Sequence, residues 1–220
     1  MRPRLALALL CVASAMPSVA RADGDGVYGR FDGDLVFDAA LGAGVGLTDA
    51  SSAMSSSSTQ VDFAPTLELR LRYLDTAGIM SALEVRPDGL SRVVLGIDLR
   101  PLFLARFFLG AMFFDRYWDI WLDSIGLDLG VALTPLDERV GAALAVGFGF
   151  DVPLVFFGES IDLLALRVSA RHTASIQSDR FGPGVPVNDW FVGGAIVLRL
   201  GARLGAASWG PPAYDLPRQR

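Results

Sequence analysis

The sequence predicts an all-β fold, a closed antiparallel transmembrane β-barrel of about eight strands with one short interfacial helix. Three observations lead there. Apolar residues alternate with polar or small ones at period 2 along most of the chain, the pattern of strands whose two faces meet different surroundings. Several of these runs exceed the roughly five or six residues usual for soluble strands and reach the roughly nine to eleven that cross a bilayer at a tilt. Apolar residues make up 52% of the 220 and charged residues 20%, with a mean hydropathy of +0.42, too little charge to coat a soluble globule.

In chain order the predicted strands are 33–48, 60–75, 78–86, 91–100, 117–134, 139–151, 161–173 and 188–205. In the first, Leu35, Phe37, Ala39, Leu41, Ala43, Val45 and Leu47 share one face, while Asp34, Asp38, Gly42, Gly44 and Gly46 share the other. The second contains "TLELRLRYLD", where Leu67, Leu69, Leu71 and Tyr73 alternate with Glu68, Arg70 and Arg72. The fourth sets Val93, Leu95, Ile97 and Leu99 against Arg92, Gly96, Asp98 and Arg100. The fifth sets Ile125, Leu127, Leu129, Val131 and Leu133 against Ser124, Gly126, Asp128, Gly130 and Ala132. In the sixth, Leu144, Val146, Phe148 and Phe150 oppose Ala145, Gly147, Gly149 and Asp151. In the eighth, Ile196, Leu198, Leu200 and Leu204 oppose Ala195, Val197, Arg199, Gly201 and Arg203. An even strand number is what closed bacterial barrels show.

The connections fit a barrel whose turns are short on one side and longer on the other. The Ser-rich segment 49–59 and the segment 174–188 are the long outer loops, and "DTAG" at Asp75 is a tight inner turn. "PDGL" at Pro87 and "PLDE" at Pro135 are short although they fall on the outer side. "PLFLARFFLGAMFF", 101–114, falls on the inner side. It reads as an amphipathic helix lying at the membrane surface, or as an extension of the two neighbouring strands.

Ahead of the barrel, "MRPRLALALLCVASAMPSVARA" has Arg2 and Arg4, an apolar run and small residues at Ala20 and Ala22, the three-part layout of a secretory signal peptide over 1–22. Residues 23–32 read as a linker and 206–220 as a tail. Cys11 lacks the small preceding residue that a lipoprotein signal needs, since Leu10 stands there. All 19 basic residues are arginine. Cleavage after Ala22 leaves 16 Arg against 24 acidic residues, a formal charge of −8, and no cysteine. An acidic exported chain is a poor nucleic-acid binder, and no disulfide holds it.

Alternation alone does not say which face meets water, because a soluble lipid-carrying barrel shows the same period with its apolar face inward. The composition of the polar face decides. It is Gly, Ala and Ser with isolated charges, whereas a water-facing surface carries a denser set of long charged side chains. Small residues with sparse charges suit the crowded interior of an eight-stranded barrel, which side chains just fill. A basic residue facing lipid near the midplane costs roughly 2–4 kcal/mol, so Arg70 and Arg72 belong inside. The expected lumen network pairs arginines 70, 72, 92, 100, 199 and 203 with Asp38, Glu68, Glu84, Asp98 and Asp128, since buried charges persist only when paired. Such a network argues against an open pore. Tyr73, Trp118, Trp121, Trp190 and Trp209 lie near strand ends, where barrels place interfacial aromatics.

On these patterns the mature chain resembles the small outer-membrane β-barrel proteins of Gram-negative bacteria. The resemblance implies residence in the outer membrane after export, contact with outer-membrane lipid and the barrel assembly machinery, a monomer, and no cofactor. Barrels of this kind end their last strand on an aromatic residue read by that machinery; here the strand runs to about Gly205 and "AASWGPPAYDLPRQR" follows, with Trp209 as the candidate substitute.

Motifs for chemistry are sparse. "DGDGVYGRFDGD" interleaves Asp with Gly, but Val27 occupies the third ligand position of a calcium loop and no glutamate closes it. "GAGVG", 42–46, lacks the full dinucleotide fingerprint and leads into a Ser-rich loop instead of a helix. His172, with Ser175 three residues on, is loosely similar to the site of outer-membrane lipid A deacylases, barrels that use a histidine, a serine and a glutamate. In that family the serine lies two residues after the histidine, where this chain has Ala174, and no glutamate follows Ser175. The expectation is therefore a non-enzymatic barrel acting through its outer loops. A hydrolase of that kind is the first alternative and a soluble periplasmic lipid-binding barrel the second.

Overall fold

The computed structural model describes residues 35–50, 58–86, 92–111, 113, 115–134, 141–157, 161–175 and 188–202. The closed antiparallel eight-stranded barrel that the sequence predicts is the fold that forms. Its strands are β1 (Leu35–Ala50), β2 (Ser58–Tyr73), β3 (Ala77–Glu84), β4 (Arg92–Leu99), β5 (Gly126–Thr134), β6 (Gly141–Phe156), β7 (Leu163–Ser175) and β8 (Asn188–Ala202). Each pairs with its sequence neighbours, and β8 returns to β1 with Phe37 opposite Leu200 and Leu47 opposite Trp190. Closure gives every strand a partner on both sides, although β3 pairs with β2 only over Thr66–Tyr73. The signal, linker and tail segments, most of loops 49–59 and 174–188, Arg203 and Trp209 lie outside the described residues.

The polarity of the wall is the reverse of a soluble barrel's. Leu67, Leu69, Leu71 and Tyr73 point out and are exposed, while Thr66, Glu68, Arg70 and Arg72 between them are buried in the interior. The same division runs through β1, β5, β6, β7 and β8. Inward glycines make the interior possible at two places. Phe191 of β8 points into the barrel and lies over Gly44 and Gly193, where a Cβ would strike its ring. Gly96 and Gly130 sit opposite each other on β4 and β5, and a Cβ on either would collide with the backbone of the other strand.

Three expectations change: one strand splits, one helix becomes two, and one strand runs further. The strand expected over 117–134 is two elements, a helix and β5, because the period-2 pattern begins only at Ile125. Residues 116–123 form the helix instead, capped by Asp115, whose carboxylate accepts from the backbone N–H groups of Tyr117 and Trp118 at 3.0 and 3.3 Å. Within 101–114 the expected helix forms, over Pro101–Phe108 only, and the alternative of extended neighbouring strands is not taken. This first helix, α1 (Pro101–Phe108), starts with proline at the position where no N–H is needed. Gly110, at φ +64°, stops it, and the Ala111 N–H returns to the Arg106 carbonyl at 2.8 Å. The second, α2 (Arg116–Asp123), makes the expected single helix a pair. Finally, β6 runs past Pro153 to Phe156, because the register shift between Pro153 and Val155 absorbs the missing donor.

Both helices connect β4 to β5 at the end of the barrel that holds the first residues of β1. Ile120 of α2 is buried in a cluster with the inward-facing Ala40, Leu163, Ala165, Ala195 and Val197, and Phe156 packs against it. The hairpin thus closes that mouth of the barrel. A second cluster of inward residues, Met80, Ala82, Val94, Ala132 and Ala145, lines the wall further up.

Candidate functional site

The interior between these clusters is filled by charge. Among the described residues, eight arginines (70, 72, 86, 92, 100, 167, 171 and 199) and eight carboxylates (Asp38, Glu68, Asp75, Glu84, Asp98, Asp128, Asp151 and Asp189) are buried there, all at 5% exposure or less. Their formal charges cancel. Period 2 explains how so many meet: Glu68, Arg70 and Arg72 arrive from β2, Asp98 from β4, Asp128 from β5, Asp151 from β6, Arg167 and Arg171 from β7, and Arg199 from β8.

Shared partners join all sixteen into one network. Arg72 donates to three carboxylates at once, Asp75 at 2.8 Å through Nε, Asp98 at 2.9 Å through Nη1 and Asp38 at 2.8 Å through Nη2. Arg70 grips Asp128 with both nitrogens, 2.6 and 2.9 Å, and also reaches Glu68 at 3.0 Å. Arg167 forks onto Asp151 at 2.7 and 3.0 Å and touches Asp38 at 2.8 Å. Asp151 also accepts from Arg100 at 2.8 Å and Arg199 at 2.6 Å. Towards the outer end, Arg171 bridges Glu84 at 2.7 Å and Glu68 at 3.2 Å, tying in a group in which Arg86 and Arg92 both bind Asp189. Planar arginine forks suit this bidentate work better than lysine would.

Of the eleven residues the sequence singles out, ten fall in this network: Asp38, Glu68, Arg70, Arg72, Glu84, Arg92, Asp98, Arg100, Asp128 and Arg199. Arg203 lies outside the described residues. Six members were missed: Asp75, Arg86, Asp151, Arg167, Arg171 and Asp189. A signal existed for three of them, since Arg167 and Arg171 alternate with Leu166, Val168 and Ala170, and Asp151 ends a glycine-rich inward face.

One further ion cluster sits outside the lumen. Arg106 of α1 donates to Asp123 at 2.6 Å and to Asp119 of α2, and both carboxylates are buried. Burial works against the charge of Arg106, yet its bonds to these two carboxylates outweigh that and raise its pKa above the ordinary value. The Asp119 carboxylate also accepts the Phe113 N–H at 3.0 Å. Ser124, just past α2, fixes the hairpin to the wall: its Oγ accepts the Asp151 N–H at 2.8 Å and lies 2.6 Å from the Trp121 carbonyl oxygen, to which it donates.

The chemistry open to this arrangement is limited. A carboxylate saturated by arginine donors is a poor base and a poor nucleophile. Among the described residues no three His, Cys, Asp or Glu side chains group as metal ligands would. His172 lies on the outward face of β7, between Arg171 and Thr173, which point in. Its ring stacks on Trp190 of β8 at 4.5 Å, and Nδ1 has no hydrogen-bond partner among the described residues. Ser175 ends β7, and its side chain lies outside the described residues. No family model, curated protein or solved structure significantly matches the chain, so its functional reading rests on the geometry of the barrel.

Proposed function

We propose that the chain is an outer-membrane β-barrel that crosses the bilayer with its eight strands, keeps a closed ionic lumen, and acts as a structural or interaction protein through the outer loops 49–59 and 174–188. The observation that carries this reading is the inverted polarity of the wall. Leu41, Phe63, Leu69, Ile97, Leu129, Val146 and Val192 are exposed on the outside while the sixteen charges are inside. From Leu35 to Leu47 every outward residue of β1 is apolar. At about 3.3 Å per residue and a tilt of about 40° that stretch rises about 30 Å, the hydrocarbon thickness of a bilayer. In water this surface would be an aggregation liability.

The reading favours structure over transport, because charge-paired side chains occupy the interior where a solute would pass. It also disfavours the lipid carrier, whose cavity would have to be apolar. Membrane fractionation tests it, together with denaturing electrophoresis of heated and unheated samples. The expected result is recovery in the outer membrane with a heat-dependent change in mobility; recovery in the soluble periplasm would overturn it.

A further inference from the structure

We infer that the α1–α2 hairpin is an in-plane anchor, with the aromatic patch Phe108, Leu109, Phe113 and Trp118 seated in the lipid interface of the leaflet at the closed end of the barrel. This rests on the membrane reading above. Leu109 at 81% and Phe108 at 79% are the most exposed large apolar side chains among the described residues, and Phe113 and Trp118 of the same hairpin are exposed too.

Three features select lipid as the cover. First, Trp118 of the patch is joined to the barrel's apolar wall. Trp118 meets Trp121 edge to face at 5.8 Å and Trp121 meets Phe150 at 6.4 Å. Phe150 stands on the outward face of β6, in line with Phe148, Val146 and Leu144. Second, the hairpin's charge is paired or stacked: Arg106, over the Phe113 ring at 5.1 Å, is neutralised by the buried Asp119 and Asp123, and the Arg116 guanidinium lies over the Phe156 ring at 4.1 Å. Third, Trp and Tyr beside aliphatic residues form the amphipathic composition that settles at headgroup depth. Tyr117 stacks edge to face on Trp118 at 5.4 Å and completes that set. The opposite side of the same hairpin buries Ile120 and Phe103. One rigid element therefore plugs the lumen and fixes the depth of the barrel.

The test uses the full chain reconstituted in phosphatidylcholine vesicles, with Cys11→Ser and an environment-sensitive fluorophore on Leu109→Cys, on Phe113→Cys, or on Leu69→Cys in the barrel wall. The expected result is that the Leu109 and Phe113 labels lose emission to lipids brominated near the headgroup more than to lipids brominated near the chain end, and resist aqueous iodide. The Leu69 label should lose emission to bromine placed deep. Iodide quenching of the hairpin labels without bromine quenching overturns the inference, as does shielding from both quenchers, which means a protein covers the patch. If the Leu69 label also escapes bromine, the membrane reading falls with it; if only the hairpin labels do, the anchor alone falls.

Discussion

Arg72 and Asp75 are joined across a left-handed turn: Nε of Arg72 donates to the Asp75 carboxylate at 2.8 Å, and Leu74 and Asp75 have φ of +50° and +53°. The Thr76 N–H returns to the Tyr73 carbonyl at 3.0 Å, closing a two-residue hairpin turn. Leucine is a poor choice there, since a left-handed non-glycine residue costs about 1 kcal/mol or more. What the turn achieves is to swing Asp75 beneath the barrel mouth, facing Arg72, Arg100 and Arg199. Asp75→Asn therefore leaves three buried guanidiniums short of one counter-charge. Removing one member of a buried pair costs about 3–5 kcal/mol, so the temperature at which the folded electrophoretic band converts should fall sharply. Thr76→Ala, which loses one exposed bond, should cost no more than about 1 kcal/mol. Equal shifts in the two variants would count against the role given to Asp75.

Gly44 and Phe191 form a size-matched pair within the lumen. Gly44→Val forces its side chain into the Phe191 ring and against the Val192 carbonyl and should destabilise by about 1–3 kcal/mol or more through overpacking. Phe191→Ala leaves a cavity and should cost about 3–5 kcal/mol. The double variant should be more stable than the sum predicts, because removing the ring relieves its share of the clash while the contact with the Val192 carbonyl stays. Urea unfolding of the four proteins measures the coupling, and strict additivity would contradict the contact.

Much of this architecture was legible because period 2 sorts residues to faces without knowledge of their partners. Glu68, Arg70 and Arg72 could be placed on one face from "LELRLR" and turned inward by the small-residue composition of the matching faces, and Arg167 and Arg171 from "LRVSARH" by the same rule. Which acid meets which arginine was not legible. Arg167 reaches Asp38 from a strand far away in sequence, and that meeting depends on the stagger of the closed barrel. Helix α2 was hidden because eight residues give barely two turns of periodicity and two Trp mimic a strand-end aromatic. Asp75 was hidden because the network enters through a turn, where alternation stops.

Arg106 clamps α1 to α2 through Asp119 and Asp123. Arg106→Gln removes the cation paired with these two buried carboxylates, and the strain falls on the hairpin and not on the strand ladder. Limited proteolysis should then cut within 101–123 while the heat-dependent mobility of the barrel persists, since local opening draws on the least stable unit. Loss of the folded band in step with cleavage would mean that the hairpin and the barrel unfold as one.

Leu69 lies mid-strand on the outward face of β2, between the buried Glu68 and Arg70. Its replacement separates the membrane barrel from a soluble one with an unusual surface. In water, Leu69→Arg would relieve an exposed apolar patch, and surface changes of that kind stay within about 0.5 kcal/mol. In a bilayer the same guanidinium meets hydrocarbon near midplane and costs roughly 2–4 kcal/mol. The inward charges give it no relief, because its side chain points away from Asp38 and Asp128. Folding into vesicles, followed by urea titration, should show a lowered midpoint for Leu69→Arg. Val61→Arg, also outward but near the other end of the same strand, opposite Leu47, should show a smaller change, because the cost of a charge falls to about 0–1 kcal/mol near the interface. If the two variants unfold alike, Leu69 does not face the hydrocarbon.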